Sequence, residues 1–114
     1  MTEGILRFFG EADHKWNKVE EGIERAIYTG DNMQILIYRF APGRKFPDHA
    51  HEDNEQLGFL MTGRMGFSID GEERILDPGD FYRVPAGVMH SAWTLDEESV
   101  LVDVFSPPRT DLPC

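Results

Sequence analysis

The chain has 114 residues, 28% of them charged and 40% apolar, with a formal net charge of −10, which bounds it to one soluble domain with a single core. That acidity argues against nucleic acid or an anionic membrane as a partner, because both are bound chiefly through Lys and Arg. It is compatible with a small anionic ligand, since a metal and a local arginine can dominate a pocket.

No run approaches the ~18 apolar residues that a membrane span needs. The opening residues lack a basic stretch followed by an apolar signal core, so the expected location is cytoplasmic. The one cysteine, Cys114, is the last residue, which rules out an intramolecular disulfide and makes a poor candidate nucleophile.

Residues 4–9 are apolar and predict a strand. Residues 10–21 are polar, with Trp16 and Val19 as the only large apolar side chains, and predict a loop or turn. His14 in this stretch reads as a solvated surface histidine. Residues 23–29 predict a strand ended by the Gly30-Asp31-Asn32 turn, and residues 33–41 a more apolar one broken by Pro42-Gly43. The next strand carries His49 and His51, with Pro47 suited to an edge. Strands follow at 57–61 and 64–70, and Asp70-Gly71 is a two-residue hairpin signal leading into 72–76. Asp77-Pro78-Gly79-Asp80 is a turn before a strand at 81–84. Pro85-Ala86-Gly87 turns into residues 90–94, and 99–105 form the last strand before an irregular Pro-rich tail. About ten short strands with no convincing helix make an all-β sandwich or barrel.

Three of the four histidines fall in two of these segments. His49 and His51 are two apart, so on an extended strand both imidazoles share a face. Gln56 follows a short polar loop and offers a side-chain carbonyl oxygen. His90 starts a strand after a turn fixed by proline and glycine. Neutral imidazoles are the commonest borderline metal ligands. The expectation is that His49, His51, Gln56 and His90 converge on one divalent metal inside a small barrel.

The spacing Gly43-x5-His49-x-His51-x4-Gln56-x6-Gly63 resembles the first motif of the cupin family. Gly79-x5-Pro85-x-Gly87-x2-His90-x3-Thr94 resembles the second, and the 15 residues between Gly63 and Gly79 match the short linker of small bacterial cupins. The resemblance implies a single-domain jelly-roll β-barrel. Most members have Glu at the position of Gln56 and Asn at that of Thr94. Glu55 is the rival fourth ligand, and the six-residue spacing to Gly63 favours Gln56. Three histidines and a glutamine would leave the metal its full charge as a Lewis acid. That set fits the carboxylate-containing pattern of non-haem iron oxygenases less well. The donors accept Zn, Ni, Mn, Fe or Cu.

In the last strand, alternation places Leu101, Asp103 and Phe105 on one face and Val100, Val102 and Val104 on the other. A buried aspartate there needs a partner or a task, whereas an exposed one would discourage edge aggregation. Arg109 reads as a surface charge or a carboxylate clamp. The segment Asp103-Val-Phe105-Ser-Pro-Pro-Arg109, with Glu55-Gln56 and the strand end at Phe59–Gly63, resembles the KdgF cupins of pectin and alginate degradation. That resemblance implies a metal enzyme converting a 4,5-unsaturated uronate of the galacturonate type to its open-chain keto form. Asp103, Phe105 and Arg109 would be the catalytic or substrate-contacting residues. The alternatives are a non-catalytic metal or sugar-acid binding module and a small metal oxygenase. A homodimer is expected, through the Val100/Val102/Val104 face and the N-terminal strand.

Overall fold

A computed structural model describes residues 7–112. Ten strands follow one another: β1 (Asn17–Glu20), β2 (Ile23–Thr29), β3 (Gln34–Phe40), β4 (Lys45–His49), β5 (Glu55–Thr62), β6 (Met65–Ile69), β7 (Glu72–Leu76), β8 (Phe81–Val84), β9 (His90–Thr94) and β10 (Ser99–Ser106). They form a six-stranded sheet, β1-β2-β3-β10-β5-β8, and a four-stranded one, β4-β9-β6-β7. Every ladder is antiparallel.

Strict alternation builds the interior. On β3, Gln34, Leu36, Tyr38 and Phe40 point inward and are buried, and their β10 partners Phe105, Asp103, Leu101 and Ser99 do the same. Phe40, Leu60 and Met65 are fully enclosed between the sheets. Phe46 packs edge-on against Tyr38 and Phe40 at 5.5 and 5.8 Å between ring centres. At ~25 cal/mol per Å² of apolar surface, such an interior supplies the main stabilising term.

The motif positions are joined by hydrogen bonds. The Thr94 hydroxyl donates to the Ala41 carbonyl at 2.8 Å and accepts from the Arg44 amide at 2.8 Å, tying β9 to the β3–β4 connection. Gly63 turns with φ +85°, and a side chain there would run into the Ser99 hydroxyl.

Three expectations need correction. Residues 10–21 are not simply a loop: a 3-10 turn spans Glu11–Asp13, and β1 pairs with β2. What holds β1 is tertiary, since Trp16 lies under the Arg39 guanidinium at 4.1 Å, and so periodicity could not reveal it. Of the strand expected over 4–9, residues 4–6 lie outside the described residues and 7–9 form no strand, although Phe9 stacks on Tyr28. His14 is not merely solvated, because its Nδ1 is hydrogen-bonded to the Tyr28 hydroxyl at 2.6 Å.

Candidate metal centre and cavity

Strand β4 lies at the edge of the four-stranded sheet, where Pro47 removes no needed ladder hydrogen bond. An irregularity between Phe46 and His49 sets His49 directly across from His90 on β9. The strand ends at His49, so His51 lies beyond it rather than on it. Its carbonyl accepts from the Gly87 amide at 2.8 Å, which ties the two motif turns together. All three rings still gather: His49 and His90 are 4.1 Å apart between centres, His49 and His51 5.0 Å, and His51 and His90 5.2 Å. One ring nitrogen from each lies within 4.8 Å of the others.

Hydrogen bonding sets the tautomers. His49 Nδ1 lies 2.7 Å from the Pro47 carbonyl, and His90 Nδ1 lies 3.0 Å from the Val88 carbonyl. A carbonyl only accepts, so each Nδ1 carries the proton and each Nε2 keeps a free lone pair. Burial pushes the His51 imidazole down to about 4, helped by the positive charge of Arg109, and burial also lowers His90. Near neutrality both rings are therefore uncharged, the form in which imidazole binds metal.

Gln56 enters from β5 on the inner face and is buried. Its Oε1 and the His90 Nε2 are both buried without a hydrogen-bond partner. Buried polar atoms are rarely left unpaired, and two orphaned lone pairs in one cavity fit a cation. Glu55 points outward and accepts from Arg83 Nε at 3.2 Å. The donors are compatible with one divalent metal and do not select its identity.

Asp103 faces the same cavity from β10, 4% exposed. The Tyr82 hydroxyl on β8 donates to its Oδ1 and accepts from Gln56 Nε2 at 3.4 Å, and Gln56 also favours the charged carboxylate. Burial nevertheless dominates and raises the carboxyl to about 7. Gly58, paired with both Asp103 and Tyr82, makes room for their contact, since a Cβ there would lie 2.5 Å from the Asp103 carboxylate and from the Tyr82 hydroxyl. Phe105 is 1% exposed and stands edge-on to His51 at 5.2 Å. Arg109 lies 5.0 Å over the Phe105 ring, but its Nε and Nη2 are already held by Asp111 at 3.1 and 2.9 Å.

These groups border a cavity of about 340 Å³, within the usual range for a small ligand. Three further lining residues, Tyr82, Tyr38 and Arg25, were not singled out from the sequence. The available signals were a glycine opposite a tyrosine on the next strand and an arginine at an inward position of β2.

The cupin-domain family model matches residues 36–105, the span that holds all seven candidate residues except Arg109. The chain is a cupin. It is 36% identical over 108 residues to the pectin degradation protein KdgF of Dickeya dadantii, covering 94% of this chain and 98% of that protein. The solved structure of KdgF from Halomonas sp. superposes with a TM-score of 0.87 at 34% identity, over 93% of this cupin and 97% of that chain. An RmlC-like cupin from Shewanella frigidimarina superposes at 0.85 with 25% identity, over 93% of this cupin and 95% of that chain.

Proposed function

We propose that this cupin is a metal-dependent enzyme of pectin-type breakdown that converts 4,5-unsaturated uronates to the linear keto form. The observation that carries this reading is a buried carboxyl, Asp103, facing three converging imidazoles across one cavity. The likeness to the two KdgF proteins supports the substrate class.

The reaction is an isomerisation. The anomeric hydroxyl loses its proton, the bond from C1 to the ring oxygen breaks, and the enol so formed becomes a ketone as C4 gains a proton. One proton leaves an oxygen and one joins a carbon, with none consumed overall. A single group that both accepts and donates near neutral pH suits this balance, and such catalysis is typically worth ~10²–10⁴-fold. Asp103 is that group in the proposal, and the Tyr82 hydroxyl holds its carboxyl towards the cavity. Phe105 offers an apolar face for the sugar ring, and Arg109 contributes positive charge beside it. His49, His51, Gln56 and His90 would hold the metal, which supplies Lewis acidity towards a substrate oxygen when bound.

The test is an absorbance assay for loss of the C4–C5 double bond of unsaturated galacturonate, with the product identified by mass spectrometry. Asp103→Ala is expected to abolish turnover and retain metal. Unchanged activity in that variant would remove Asp103 from the mechanism. Saturable sugar-acid binding without product would replace the enzyme reading with a binding module. Oxygen uptake by the iron-loaded protein would replace it with an oxygenase.

The reading includes a homodimer through the outer face of the six-stranded sheet. Ile35, Ile37, Val102, Val104 and Phe59 form a continuous band there, and Phe81 beside it is 74% exposed. Sedimentation at low concentration tests it; a monomer at micromolar concentration would count against it.

A further inference from the structure

A uronate carries one carboxylate, and two arginines border this cavity. Arg109 already grips Asp111 with two nitrogens. Arg25 grips no carboxylate, and none of the ion pairs among the described residues includes it. On the inner row of β2 it stands between Ile23, which is fully buried, and Ile27, which packs on the core. Across the ladder it faces Tyr38 on β3, and its positive charge favours the ionised form of the Tyr38 hydroxyl. Its Nε is buried and has no hydrogen-bond partner among the described residues.

An uncompensated guanidinium on an apolar inner wall is unfavourable unless something anionic completes it. No described residue supplies that anion through an ion pair. Glu20 reaches the rim of the cavity but is exposed and forms no ion pair with Arg25. Asp103 faces the cavity from β10 with its Oδ1 taken by the Tyr82 hydroxyl, and it forms no ion pair with Arg25. Guanidinium presents a planar fork matched to a carboxylate.

The position is also apt. Tyr38, Phe46 and His49 step along the wall with ring centres 5.5 and 5.6 Å apart, so Phe46 separates the Arg25 region from the imidazoles. We propose that Arg25, with the Tyr38 hydroxyl beside it, is the subsite for the carboxylate of the sugar acid. The sugar's hydroxyls then face Asp103 and the histidines. This inference rests on the uronate reading for its ligand class. It assigns selectivity for acids over neutral sugars to β2, a strand outside both cupin motifs.

The test is calorimetric titration of the metal-loaded protein with galacturonate and with galactose, which both lack the C4–C5 double bond and so cannot form the keto product. The parent protein should favour galacturonate. Arg25→Gln, which keeps a polar side chain of similar length without the charge, should weaken galacturonate binding roughly 10–100-fold and leave galactose binding unchanged. Arg25→Lys retains the charge without the fork and should fall between them, and it serves if the glutamine variant fails to fold. Full galacturonate affinity in Arg25→Gln, or equal binding of both sugars by the parent, would overturn the subsite. Turnover of unsaturated uronate separates the two ideas. Activity with an unchanged KM in Arg25→Gln sinks the subsite and spares the reaction. Arg25-dependent galacturonate binding without any turnover sinks the reaction and spares the subsite.

Discussion

The Tyr82 hydroxyl donates a hydrogen bond to the buried carboxyl of Asp103, two strands meeting through the gap that Gly58 leaves. A donor aimed at a carboxylate favours its charged form. Tyr82→Phe removes that donor, so the Asp103 carboxyl should rise further above its ordinary range. The limb of the pH–kcat/KM profile governed by Asp103 should move to higher pH by on the order of one unit. Metal content should not change. An unshifted profile would separate Tyr82 from the proton transfer.

Asp103 also sets a stability trend in the metal-free protein. Its carboxyl is raised from 3.8 to about 7 in the folded state, so between those values the folded chain binds the extra proton. Stability from this group is therefore full below pH 3.8 and is lost as pH climbs to about 7. Asp103→Asn should be more stable than the parent at pH 8, by a few kcal/mol, and the gap should close towards pH 4. Urea denaturation at several pH values measures it, and a variant less stable at pH 8 would contradict the desolvated carboxyl.

His51 runs the opposite way. Its folded-state value of about 4 lies below the ordinary 6.5, so the unfolded chain takes up the proton first. Metal-free protein should lose stability as pH falls from 6.5 to about 4, and His51→Gln should flatten that part of the curve. An identical acid profile in both proteins would show that His51 is freely solvated.

Gln56→Glu tests the uncharged donor set. A carboxylate there adds negative charge beside both the candidate ion and Asp103. Divalent metal should bind more tightly. Turnover should drop at least tenfold, because a less electrophilic centre and a like charge near Asp103 both oppose the proposed proton transfer. Metal analysis together with steady-state kinetics reads both halves; weaker metal binding would place Gln56 outside the ligand set.

Gly58→Ala should disrupt the Tyr82–Asp103 contact directly. A methyl group 2.5 Å from both partners forces them apart, at a cost of about 1–3 kcal/mol. Thermal melting should show the loss, with activity falling further than stability alone explains. A variant with parental melting and turnover would mean that the close approach is dispensable.

The boundaries of β2 and β9 were legible from residue patterning, because alternation and Gly-Pro punctuation act locally. The spacing of His49, His51, Gln56 and His90 was legible too, since turns of fixed length bring them to one side. β1 was hidden, for its four residues show no apolar period and depend on a ladder and on a Trp16–Arg39 stack formed only in the folded chain. Arg25 and Tyr82 were hidden for a related reason. Each occupies an ordinary inward position, and only the closing of the sheets reveals which inward positions border the cavity. Arg109 was visible as a charge, but its engagement with Asp111 depends on the turn of the tail.

Pro47 and Val88 each lend a main-chain carbonyl to a neighbouring imidazole. Those two rings are thereby pinned by the backbone itself rather than by whatever they clasp. Half of the candidate donor set is thus ready-made, and loading would resemble dropping a bead into a setting more than folding a purse around it. A divalent ion seated there would need no turning of either ring, so metal-free and metal-loaded protein should share one architecture.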